Sequence, residues 1–117
     1  MRSFVIGALR LVAASAEEQV GWVRRHGVVT DEIALDLEHA TGVAPRLVAE
    51  GVLDAAVLAG LREIDAVFGE MSGDPDRWSP QAPARDEGWA RARGLARQLL
   101  DREGLGLGPL PEIHVIR

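Results

Sequence analysis

The sequence predicts an all-α protein, an irregular bundle of five to six helices with an extended or disordered C-terminal tail. Three observations lead there. Apolar residues recur at spacings of three and four over most of the chain, the period of a helix face. Residues that start and stop helices bracket those stretches. Alternating apolar–polar runs, the mark of a half-buried strand, are nearly absent. A chain of 117 residues suits one domain with its own core. It divides into a helical domain over residues 1–104 and a Gly/Pro-punctuated tail over 105–117.

Ser3 can cap a first helix that runs to about Ala14. Its apolar residues Phe4, Val5, Ala8, Leu9, Leu11 and Val12 cover much of the circumference, so burial is expected. The same stretch loosely imitates a secretory signal, with Arg2 before the apolar run and Ala14-Ser15-Ala16 after it, but Arg10 interrupts it. Ser15-Ala16-Glu17-Glu18 is a capping box that opens a second helix. Arg24, Arg25 and His26 complement the dipole of its last turn, and Gly27 stops it. Thr30 starts a third helix with Asp31 and Glu32 in the first turn; Ile33, Leu37 and Ala40 form its stripe, and Gly42 ends it. Pro45 suits the first position of a short fourth helix that reaches Glu50 and closes at Gly51. Asp54 caps the fifth, whose stripe Val57, Leu61, Ile64, Phe68 and Met71 should lie at the centre of the core.

Gly73, Pro75, Pro80 and Pro83 break the chain between Ser72 and about Arg85. A sixth helix then spans Asp86 to Glu103. Trp89, Ala92, Leu95, Ala96 and Leu99 face inward, and Glu87–Arg91 and Arg97–Asp101 are spaced as i,i+4 pairs on the outside. Gly104 stops it. The tail ends in Glu112-Ile113-His114-Val115-Ile116-Arg117, and its pattern fits an extended packed segment, an edge strand or a disordered one.

Composition removes several function classes. Hydrophobic residues make up 47% and charged residues 26%, as in a folded globular protein. The net charge of −5 argues against a general nucleic-acid binder, which needs a positive face for phosphates. No cysteine means no disulfide, thiolate nucleophile or cysteine metal site, and points to a cytoplasmic protein. No stretch reaches the ~18 apolar residues of a spanning helix. All thirteen basic residues are arginine, as GC-rich codon usage produces.

Candidate chemistry is sparse. Glu32, Asp36 and His39 share one helix face, where a metal or an acid/base pair could sit. A solvated face is the plainer reading, because no matching ligands stand elsewhere. Gly104–Gly108 lacks the Lys-Ser/Thr of a phosphate loop. Residues 69–73 lack the serine position of a nucleophile elbow. Asp74 and Asp76 hint at a calcium loop, but Trp78 and Arg85 occupy later ligand positions. Residues 31–53 can be read as helix-turn-helix with Arg46 as its one base reader. Asp31, Glu32, Asp36 and Glu38 form a locally acidic run beside His39, suited to a basic partner surface. Trp78 either folds back onto the bundle or stands out as an aromatic anchor.

Residues 15–23 (SAEEQVGWV), 31–37 (DEIALDL) and 71–73 (MSG), with Trp78, Trp89 and Ala96-Arg97, resemble a family of small helical proteins from GC-rich bacteria. The resemblance reaches about Leu100 and implies no activity or site residue. In style such proteins are similar to immunity partners of secreted toxins. The expectation is therefore a non-enzymatic protein-interaction module without a cofactor, with partner-binding residues Asp31, Glu32, Asp36, Glu38, His39 and Trp78. Homodimerisation stays open. A helix-turn-helix regulator and a metal-dependent or acid/base enzyme using Glu32, Asp36 and His39 are the alternatives.

Overall fold

A computed structural model describes residues 1–111. The chain forms α1 (Arg2–Ala13), α2 (Ala16–His26), α3 (Asp31–Ala49) and α4 (Ala55–Met71). A 3-10 turn (Pro75–Trp78), the single turn α5 (Ala82–Arg85) and α6 (Glu87–Arg102) follow. No strand occurs among the described residues. The four long helices close a ring in which α1 packs on α3 and α6, and α4 packs on the same two. Helices α2 and α5 pack together at its margin. The stripe from Val57 to Met71 is buried throughout, as expected, and α1 adds seven buried residues from Val5 to Ala13.

Several helix ends form as the sequence predicts. Ser15 and Glu18 complete the capping box, at 3.1 Å in both directions. Gly27 takes the left-handed conformation at φ 63°. Asp54 accepts from the Ala56 amide at 3.1 Å.

Three expectations need correction. The third helix does not end at Gly42: α3 continues through Pro45 to Ala49, so the separate fourth helix does not exist. Ile33, Leu37, Ala40, Ala44 and Leu47 keep one helical phase and are all buried. Burial of that continuous stripe outweighs the hydrogen bond lost at Pro45, which is itself exposed. Without a turn at Gly42, the helix-turn-helix unit read there does not form. Second, Ser3 is not a cap, and Thr30 holds the N-cap position of α3 without a side-chain cap hydrogen bond. Thr30 is helical in backbone, and its hydroxyl donates to the Trp78 carbonyl at 2.6 Å; Ser3 lies inside α1, which starts at Arg2. Third, the pairs Glu87–Arg91 and Arg97–Asp101 do not form. The ion pairs among the described residues are Arg46–Glu50 and Arg77–Asp86.

The arginines of α6 serve α1 instead. Arg97 Nε donates to Ala13 O at 2.7 Å and Arg93 Nε to Ala14 O at 3.0 Å. Buried Gln19 donates to Leu11 O and Val12 O at 3.1 and 2.9 Å and accepts from Arg93 at 3.0 Å. Carbonyls at the end of a buried helix have no intrahelical partner. Here three side chains from two other helices supply them.

The described part of the tail has no regular secondary structure and lies on α1 and α2. Arg10 donates to the carbonyls of Leu105 and Gly106 (3.0 and 3.4 Å), and the buried Trp22 indole donates to Pro111 O at 2.8 Å. The expected segment Glu112–Arg117 lies outside the described residues.

Asp86 fastens the start of α6. It accepts from the Gly88 and Trp89 amides at 2.7 and 3.3 Å and from Arg77 Nε and Nη2 at 2.9 and 3.1 Å. The Arg77 hydrogen bond, and after it the two amides, hold its carboxyl below the usual range against partial burial. A depressed carboxyl contributes stability above its unfolded value of about 3.9, and loses it as pH falls through the lower folded value. Asp86→Ala should therefore lower stability by about 2 kcal/mol near neutral pH. Asp86→Asn, which keeps a cap acceptor, should lower it less. Urea midpoints measured near neutrality and at about pH 2 should show the gap between Asp86→Ala and the parent closing in acid. A gap that stays constant would refute the charged cap.

Candidate functional site

Helices α3 and α4 and the segment that follows Met71 together line an open groove of about 760 Å³. Its apolar surface comes from Val29, Ala34, Leu35, Phe68, Pro75 and Trp78. Its charged surface comes from Asp31 and Glu38 on α3, Asp65 on α4, and Asp74 before the 3-10 turn. No arginine or histidine among the described residues lines it.

The segment from Met71 to Trp78 is fixed from several sides. The Trp78 indole donates to Met71 O at 3.0 Å, and the Trp89 indole donates to Arg77 O at 2.9 Å. The Trp78 ring lies 5.9 Å from Phe68 and 5.7 Å from Trp89, centroid to centroid. With the Thr30 hydroxyl on its carbonyl, Trp78 is held at both backbone and ring. It is half-buried and still lines the groove, so it anchors the segment and presents surface at once. Asp74 caps the 3-10 turn through the Asp76 amide at 3.2 Å.

The electrostatics follow from burial first and like charge second. Burial, and second the nearby Glu38, hold the Asp65 carboxyl above its ordinary range. Two residues of the lining are exposed although apolar: Val29 at 64% and Leu35 at 48%. Apolar surface rimmed by charge marks interaction sites more often than scattered single residues do.

The acidic run on α3 divides in two. Asp31 and Glu38, seven residues apart, edge the groove together with Leu35 and Trp78. Glu32, Asp36 and His39 stand about a quarter-turn away and do not line it. Burial and then Glu32 push Asp36 upward, with His39 opposing. No group of three or more potential metal ligands occurs among the described residues.

Val29, Leu35, Asp65 and Asp74 were outside the site expected from sequence. Leu35 carries a signal of its own, an apolar residue out of phase with the buried stripe of α3. Asp65 and Asp74 carry none, because only the packing of α4 and the turn brings them to α3. No described helix is long and apolar enough to cross a membrane. No family model, curated protein or solved structure matches the chain.

Proposed function

We propose that this protein is a non-enzymatic interaction module that engages a basic protein surface through the α3–α4 groove, as an immunity, antitoxin or regulatory partner does. The observation that carries this reading is the meeting of four carboxylates and two exposed apolar side chains in one groove, with no basic residue among the described residues that line it. Charges at a rim set the approach and orientation of a partner, while the apolar centre supplies the contact. The ridge of Glu32, Asp36 and His39 extends the acidic surface beside it.

Affinity capture from the native host tests the reading. The parent chain is compared with a variant carrying Asp31→Asn, Glu38→Gln and Asp65→Asn. Proteins held by the parent should be lost from the variant, and equal capture by both refutes the groove. The variant should remain folded. Asp65 has a folded-state pKa above its unfolded one, so its charge opposes folding at neutral pH and that opposition is relieved as pH falls. Asp65→Asn alone should thus leave the urea midpoint unchanged or raise it.

A further inference from the structure

We infer that the occupant of the groove is a basic amphipathic helix, apolar toward Leu35 and Val29 and carrying Arg or Lys toward Glu38, Asp65 and Asp74. This rests on the interaction reading above and specifies the partner.

Three observations select that occupant. First, the carboxylates stand on both walls, Glu38 on α3 and Asp65 on α4, with Asp74 at one end. A complement therefore needs cations on two flanks. Second, the carboxylates share the lining with apolar residues, and Val29 and Leu35 leave much of their surface uncovered. A small hydrophilic polycation would satisfy the carboxylates and leave that apolar surface wet. Third, two of the walls, α3 and α4, are helices whose backbone groups are paired within them, and no strand edge is offered among the described residues. An extended peptide laid along α3 and α4 would bury unpaired amides and carbonyls, whereas a helix brings its backbone bonds with it. Gly69 makes a close approach feasible. It lies in the groove lining, and a Cβ built there meets nothing within 4 Å.

Gly69 also supplies the decisive variant. Space around its Cβ and its place inside α4 mean that Gly69→Leu preserves the bundle while filling the groove. Leu35→Lys is a second, exposed change that removes the apolar anchor and repels a basic helix. The probe is a synthetic peptide with Leu at i, i+3, i+4 and i+7 and Lys elsewhere, measured by calorimetry on the full chain. A scrambled peptide of equal composition and spermine serve as comparisons. The amphipathic peptide should bind at least about tenfold more tightly than the scrambled one. Each variant should lose about that factor while keeping parental helicity. Equal binding of both peptides, tighter binding of spermine, or indifference to both variants overturns the helix assignment. If the peptide fails while host capture still depends on the three carboxylates, the partner class is wrong and the interaction reading stands. If both fail, both fall.

Discussion

Trp89→Ala is expected to lower unfolding free energy by about 3–5 kcal/mol, a large fraction of the stability of a domain this size. Trp89 is fully buried and sits where α6 begins. Its ring contacts Phe68 edge-on at a centroid distance of 5.1 Å and Trp78 at 5.7 Å. Its indole N–H holds the Arg77 carbonyl, and its amide is one that Asp86 caps. One truncation thus opens a cavity in the core and releases the segment that walls the groove. Trp89→Phe keeps most of the volume and loses the hydrogen bond, leaving the Arg77 carbonyl in need of another donor; about 1–3 kcal/mol is expected. Urea denaturation followed by far-UV circular dichroism separates the two. Equal, small losses for both variants would show that this aromatic cluster does not organise the end of the bundle.

Arg93→Met should rank next, at about 3 kcal/mol. Half-buried Arg93 reaches the Ala14 carbonyl, the Gln19 side-chain carbonyl and the Pro83 carbonyl, the last two at 3.0 and 2.7 Å. Burial, and then Arg97, push its pKa down, so the charge is retained against its surroundings by these acceptors. Methionine fills similar space and leaves three acceptors from three different elements short of a donor. Arg93→Lys should recover only part of the loss, because a single ammonium lacks the planar fork that reaches them together. Full recovery by lysine would mean that charge alone matters there. A methionine variant as stable as the parent would mean that water satisfies these carbonyls.

What the sequence made legible was local. The capping box at Ser15, the stop at Gly27 and the cap at Asp54 each depend on residues within one turn, and each formed as expected. The stripe of α4 was legible because its spacing needs no partner to be recognised. Gly42 and Pro45 are helix-breaking residue types, but the apolar phase of α3 runs through both. Ala44 and Leu47 continue the stripe of Ile33, Leu37 and Ala40, and burial of that surface carried α3 across the proline. The roles of Arg93 and Arg97 are not legible locally, because the carbonyls they serve lie about eighty residues earlier, at Ala13 and Ala14. Thr30 stands at the start of α3 as its sequence suggests, but its hydroxyl serves the distant Trp78 carbonyl. The acidic residues of α3 were visible, yet their division between groove and ridge depends on where α4 packs.

The groove as a docking surface is tested most directly by amide chemical shifts of the labelled chain titrated with the amphipathic basic peptide. The account predicts perturbations concentrated on Val29–Glu38 and on residues 65–78, growing to saturation and weakening as salt screens the carboxylates. Perturbations centred on the outer faces of α2 or α6, with the groove silent, would contradict it.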